Sequence, residues 1–422
     1  MSSTTITLLF LLFAVISFIL EKIPLGLTAI ILALGLNLVG VLSVSEAFAG
    51  FVNSNVILCV GMFVVGQALF ETGMANRIGS IVTKFAKSER MLIVSIMVVV
   101  GTMSGFLSNT GTAAVLIPVV CGIADESGYS RSRLLMPLVF AAALGGNISI
   151  IGAPGNLMGV NQLQELGFPT SFFMYAPVGI PMLLAGILFY AFLGYKFLPD
   201  TKGGEDDETI RTNDFSSVPR WKQVTSLVVL VVVIFAMIFE KQIGIKIQVS
   251  ACIGAVVLVL AGVISEKAAL KSIDLKVVFL FGGSLALAKA LEKTGAGSVV
   301  ADAIIGLLGS TPNPLILLFV IFIVGCTLTN FMSNTATTAI MVPIAASLAK
   351  NLGADPRAMI IATVIACSCA YATPIGMPAN TMVVGLGGYK FKDYVKAGLP
   401  LIFVSFVICM VLLPILFPFY PA

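Results

Sequence analysis

With 422 residues, 58% of them hydrophobic and only 10% charged, the chain carries too little polar material to cover a water-soluble surface. A mean hydropathy of +1.08 places it in a bilayer. There is no histidine, which excludes a His/Cys metal site, and the net charge of +4 comes from basic residues spread among loops, which do not form a nucleic-acid surface.

Apolar runs long enough to span, some with tilt or interruption, lie at about 5–20, 23–42, 55–70, 134–160, 173–198, 225–239, 247–265, 276–288, 358–388 and 399–418. They predict about ten crossings. The first run is read as a retained helix, because residues 1–7 hold no basic residue and no small-residue cleavage pattern follows. Two further apolar blocks, 91–124 and 314–349, each contain a Ser-Asn-Thr stretch and are read differently. The seven cysteines all fall in apolar runs, and Cys367-Ser-Cys369 is most simply a pair of small helix residues. The one long polar stretch, 199–222, with Gly203-Gly204 and an acidic tract at 205–208, reads as a solvated linker.

The chain repeats itself across that linker. Ser108-Asn109-Thr110, with Pro118 downstream, answers Ser333-Asn334-Thr335 with Pro343; Gly152-Ala-Pro154-Gly-Asn156 answers Gly376-Met-Pro378-Ala-Asn380; Phe172, Tyr175, Gly179 and Pro181 answer Phe391, Tyr394, Gly398 and Pro400. Matches in one order at nearly one offset imply two structural repeats, 1–198 and 223–422. In each repeat three crossings precede a short polar amphipathic stretch, then the Ser-Asn-Thr block, then two more crossings. If each block enters and leaves on one face, every repeat has five crossings and the second is inverted.

The positive-inside rule favours that arrangement. With both termini outside, 18 of the 24 basic residues fall in inside loops: Lys22, Arg77, Lys84, Lys87, Arg90, Arg131, Arg133, Lys196, Lys202, Arg211, Arg220, Lys222, Lys267, Lys271, Lys276, Lys390, Lys392 and Lys396. The expected fold class is therefore an all-α polytopic membrane protein of two inverted repeats, each of five transmembrane helices with a re-entrant hairpin.

The hairpin tips carry the chemistry. A descending helix aims its carbonyl end at the midplane and the returning helix aims its amide end there, so the break attracts a cation on one side and an anion on the other. Ser, Asn and Thr cap such ends and offer oxygen to a hard cation such as sodium. Ser104 and Thr329 lie one turn before Ser108 and Ser333, on the same face. The crossings that follow, 145–156 and 372–380, are interrupted by glycine and proline, which free backbone groups to complete each site. A packing kink accounts for one such crossing; two matched copies, each after a Ser-Asn-Thr hairpin, call for function. No charged residue lies within the tips or the interrupted crossings, which fits sodium better than proton coupling. No nucleophile–base pair, phosphate loop or metal cluster points to an enzyme.

The doubled pattern Asn-Thr-x-Thr-(Ala/Thr)-Ala-x-x-x-Pro, each copy followed by Gly-x-Pro-x-Asn, together with 371–380 and 390–398, resembles the divalent anion/sodium symporter family, which includes the INDY-type di- and tricarboxylate carriers. The resemblance implies an elevator-type transporter, homodimeric in the cell inner membrane. Scaffold helices within 1–75 and 223–290 would stay still, while hairpins and broken helices within 91–160 and 312–388 move. It implies one sodium site from Ser104, Ser108, Asn109 and a carbonyl near Gly145 or Gly146, and another from Thr329, Ser333, Asn334 and the Ala372 carbonyl. Substrate carboxylates would meet Asn109, Thr110, Asn334, Thr335, Thr373 and Pro374. Two features depart from the family: Gly155 and Ala379 replace a second proline in the broken helices, and a first helix of longer members is missing. The expected function is sodium-coupled transport of a small dianion such as succinate, malate or fumarate. The alternatives are a sodium-independent exchanger, a carrier of sulfate or another inorganic anion, a proton-coupled transporter, and, from another class, a membrane receptor or channel.

Overall fold

The computed structural model describes residues 1–83, 88–201, 215, 217–308 and 313–420. Gly203-Gly204, the acidic tract 205–208, residue 312, and Lys84, Lys87, Lys202 and Arg211 lie outside the described residues. The described secondary structure is helical, without strands. In order it comprises α1 (Ser3–Leu20), α2 (Leu25–Leu38), α3 (Val44–Phe48), α4 (Ser54–Glu71), α5 (Met74–Thr83), α6 (Glu89–Ser104), α7 (Asn109–Ser127), α8 (Arg131–Gly145), α9 (Pro154–Glu165) and α10 (Ala176–Phe192). Beyond the linker follow α11 (Arg220–Ile238), α12 (Glu240–Ile243), α13 (Ile247–Leu260), α14 (Glu266–Ser272), α15 (Leu275–Thr294), α16 (Ala296–Leu308), α17 (Pro314–Thr329), α18 (Asn334–Asn351), α19 (Pro356–Ser368), α20 (Pro378–Gly387) and α21 (Phe391–Leu416). Apart from the single turn α12, the second series repeats the order of the first.

Local chemistry sets these boundaries. Ser43 and Glu46 form a reciprocal capping box at α3, and Ser265 caps the matching α14. Proline opens α9, α17, α19 and α20, where its missing N–H costs nothing, and glycine in the left-handed region closes α7, α12, α15 and α20. The stretch expected to be polar and amphipathic before the second hairpin is instead the apolar helix α16.

Among the described residues, five helical segments are long and apolar enough to cross a membrane: Ser3–Leu20, Val44–Glu71, Asn109–Ser127, Arg220–Ile238 and Phe391–Leu416. Other apolar runs appear as helices of 10–17 residues. The run 134–160 is divided between α8 and α9, and 358–388 between α19 and α20, each with non-helical backbone in the middle. Length alone therefore undercounts the ten apolar runs.

α2 packs along α15, and α4 along α13 with α11 beside both. A second group joins α6, α8 and α10 with α17, α18, α19 and α21. The two series interlock there: α9 lies on α18 and α19, while α20 lies on α7 and α8. α8 and α19 are buried on nearly every face, so these two helices form the centre against which both hairpins rest.

Where α10 and α21 cross the non-helical segments there is no room for a side chain. A Cβ on Gly179 would lie 1.9 Å from the Asn147 carbonyl oxygen, and one on Gly398 would lie 2.1 Å from that of Tyr371. Gly179→Ala and Gly398→Ala should each cost about 1–3 kcal/mol through overpacking. Gly122→Ala on α7, where nothing lies within 4 Å, should be neutral or slightly stabilising because alanine favours the helix. Thermal unfolding in detergent checks the contrast.

Candidate functional site

The two hairpins break in the same way. α6 ends at Ser104, and after four residues Ser108, extended at φ −64° and ψ 140°, caps α7 by accepting from Gly111 N at 3.0 Å. α17 ends at Thr329, and Ser333, at φ −63° and ψ 140°, caps α18 by accepting from Ala336 N at 3.2 Å. The side-chain oxygens of Ser108 and Ser333 thus hold the amide ends of the returning helices.

Behind each cap is a buried knot of oxygens. Ser104 Oγ lies 2.7 Å from Asn109 Oδ1 and 2.7 Å from the Ala142 carbonyl; Thr329 Oγ1 lies 2.8 Å from Asn334 Oδ1 and bonds to the Cys367 carbonyl. A hydroxyl has one proton to donate, so Ser104 and Thr329 can each serve only one of these oxygens. At Asn109 the side-chain amide makes up the shortfall. Turned with Nδ2 inward, its amide donates to Gly152 O at 2.9 Å, Ser104 Oγ at 2.7 Å and Ala142 O at 3.1 Å. Turned with Oδ1 inward, it makes a fourth oxygen in an acceptor-rich cluster, the donor set of a hard cation. Gly146 lies directly beneath this amide, where a Cβ would come within 2.4 Å of Oδ1.

The asparagine of Gly-x-Pro-x-Asn has a structural task. Asn156 Nδ2 donates to Gly146 O and Ser149 O, both at 2.7 Å, and Asn380 Nδ2 donates to Ala370 O at 2.7 Å and Thr373 O at 2.9 Å. Tyr175 and Tyr394 hydroxyls donate to the carbonyls of Asn156 and Asn380. Ser149 Oγ reaches back to Gly105 O, as Thr373 Oγ1 does to Asn330 O, tying each break to the end of its hairpin helix.

Of the residues expected to bind ligands, Ser108, Asn109, Thr110, Ser333, Asn334 and Thr335 come together on the wall of one cavity of about 320 Å³. Ser104 and Thr329 are fully buried behind it. Thr373 and Pro374 are not on this wall; the Thr373 hydroxyl is engaged with Asn330 O and Gly376 N. The carbonyls facing Ser104 and Asn109 are those of Ala142 and Gly152, whereas Gly145 O accepts from Ile148 N and Gly146 O from Asn156. Ala372 N donates to Asn330 Oδ1 at 2.9 Å.

The same wall includes Pro154 and Pro378, the first residues of α9 and α20, so four helix amino ends face one space. Their partial positive charges suit an anion. Gly155 allows close approach to Thr338, since a side chain there would meet Thr338 Oγ1 at 2.9 Å. Thr338 also lines the cavity, one turn beyond Asn334 on the same helix face, a spacing visible in the sequence. Asp274 and Lys276, beside the start of α15, line it too. No local signal marked them, because they lie far from both hairpins in the chain.

Apolar helices packed around a cavity that both hairpin tips line are the architecture of an integral membrane protein with an internal site. The chain matches the family model described as CitMHS, citrate transporter, over residues 15–366 and 234–421, and it belongs to that family. It is 24% identical to the uncharacterized transporter YfbS of Escherichia coli, covering 96% of this chain and 98% of the relative. It is likewise 24% identical to the sodium-dependent dicarboxylate transporter SdcS of Staphylococcus saprophyticus, covering 95% and 83%. Among solved structures, its fold is similar to the Alcanivorax borkumensis YdaH transporter, with a TM-score of 0.67 at 15% identity over 90% of this chain and 87% of that one. It is also similar to Neisseria gonorrhoeae MtrF, reported with a class of antimetabolite efflux pumps, with a TM-score of 0.62 at 14% identity over 99% and 95%. The family and these relatives are transporters rather than enzymes.

Asn156→Ala and Asn380→Ala each leave two buried carbonyls without a donor, so each should cost roughly 2 kcal/mol or more. Unfolding in detergent should register both losses, and their similarity would reflect the equivalent positions.

Proposed function

We propose that this protein is a secondary active transporter that moves a small dianion, a C4-dicarboxylate of the succinate, malate or fumarate type, together with sodium ions. The observation that carries this reading is the single cavity walled by both Ser-Asn-Thr tips and four helix amino ends, with a buried hydroxyl and an asparagine amide, Ser104 with Asn109 and Thr329 with Asn334, behind each tip. The amide ends and the hydroxyls of Thr110 and Thr335 receive carboxylates; Ser104 with Asn109, and Thr329 with Asn334, receive sodium. Ser108, Ser333, the Gly145, Gly146 and Ala372 backbone, Thr373 and Pro374 complete these sites in the resemblance-based assignment. Neutralisation of the dianion by bound sodium then replaces the ion pairs that the tips lack. The SdcS relatives, described as sodium-dependent dicarboxylate transporters, support this substrate class.

The working cycle in this reading is an elevator. Helices α1–α4 and α11–α15 form a static scaffold in a homodimer, and the hairpins and broken helices α6–α9 and α17–α20 carry the site across the membrane. The two series are inverted repeats, with both termini outside the inner membrane. A second reading, transport of citrate, is favoured by the family description, and sulfate or dicarboxylate exchange without sodium uses the same cavity.

In proteoliposomes, an inward sodium gradient should accelerate succinate uptake at least tenfold over potassium, with citrate and sulfate as competitors to rank the substrate classes. Asn109→Ala and Asn334→Ala should each reduce uptake at least tenfold while leaving a monodisperse protein. Uptake indifferent to sodium, with both variants active, would overturn the reading.

A further inference from the structure

The cavity has a wall that belongs to neither hairpin. Leu25 of α2, Phe63 of α4, and Asp274, Lys276, Val277 and Leu280 around the start of α15 line it opposite the tips. Two of these residues are charged, and they are not equivalent. Asp274 caps α15: its Oδ1 accepts from Lys276 N at 3.0 Å and Val277 N at 3.3 Å. That carboxylate faces the positive end of a 20-residue helix, which offsets its charge. Lys276 is exposed, and among the described residues its ammonium makes no ion pair and no side-chain hydrogen bond. The wall therefore presents an unpaired ammonium-bearing side chain beside a capped carboxylate to a cavity whose tips hold no charge.

Its position is also fixed. Gly26 of α2 packs directly on the backbone of Lys276, whose Cα and carbonyl oxygen lie 3.6 Å from where a Cβ would stand. α2 and α15 run along each other over much of their length. The lysine thus belongs to the α2–α15 pair, which the proposed elevator assigns to the scaffold.

We propose that Lys276 is a specificity-determining residue that contacts the anionic substrate on one side of the membrane only. The inference rests on the dicarboxylate reading above and deepens it. In the conformation described here Lys276 lines the same cavity as Asn109, Thr110, Asn334 and Thr335, so its long side chain can reach a carboxylate held by the tips. When the hairpins carry the substrate to the other face, the lysine stays behind and the attraction is lost. Affinity on the two faces then differs by a term that this one residue sets, and that term weakens with salt because the ammonium is exposed.

The test uses the full chain in proteoliposomes whose orientation is established by the accessibility of a terminal tag. KM for succinate is measured in zero-trans flux from each face for wild type, Lys276→Gln and Lys276→Arg. Lys276→Gln should raise KM about three- to tenfold on the face that exposes Lys276 and leave it unchanged on the other. Lys276→Arg should keep the wild-type value, and raising potassium chloride should increase the wild-type KM on that face but not that of Lys276→Gln. Unchanged KM on both faces, or an equal rise on both, overturns the proposal while leaving dicarboxylate transport standing. A wild-type protein that moves no dicarboxylate under any cation gradient overturns both.

Discussion

The structure depends on one constraint: a backbone group within the hydrocarbon layer must find a partner inside the protein. Two apolar runs are broken by glycine and proline, and the broken ends would be prohibitively costly if left open. Asn156 and Asn380 close them by donating to two carbonyls each, and Tyr175 and Tyr394 fix the carbonyls of those asparagines in turn. Ser149 and Thr373 then tie each break to the neighbouring hairpin. Once these bonds are made, the amide ends of α9 and α20 project into a shared space with those of α7 and α18.

That arrangement separates two kinds of oxygen. The backbone carbonyls that Asn156 and Asn380 stitch have donors and serve the fold, while the Oδ1 atoms of those two asparagines are buried without a partner. The Ser104–Asn109 and Thr329–Asn334 pairs instead gather hydroxyl, amide and carbonyl groups behind the caps, where the Asn109 amide can present either its nitrogen or its oxygen. In the proposed reading a cation draws the Asn109 oxygen inward, immediately behind the helix ends that favour an anion. Cation and anion sites back to back, as proposed, without a buried fixed charge at the tips, would give a site that is nearly neutral when full. Such a site crosses a low-dielectric layer at lower cost than a charged one.

Much of this was legible in the residues. The repeated Ser-Asn-Thr and Gly-x-Pro-x-Asn patterns located the breaks, the caps at Ser108 and Ser333 lie where the pattern put them, and Ser104 and Thr329 fall behind them as their one-turn spacing implied. The carbonyls were less legible. A broken helix frees several, and only the packed structure distinguishes Ala142 and Gly152, which face Asn109, from Gly146, which Asn156 occupies. Thr373 looked like a ligand by its place in the motif, yet its hydroxyl bridges Asn330 O and Gly376 N.

Sequence by itself determined the solvent, the doubled order of elements and the residue types at each break, because hydropathy, caps and helix-breaking residues act over a few neighbouring positions. Only the tertiary structure decided which groups share the cavity. Asp274 and Lys276 come to it from the start of α15, and Thr338 from one turn inside α18, because α2 and α15 pack together and α9 lies on α18. Such long-range juxtapositions come from the packing of whole helices, which carries no local signature in the chain.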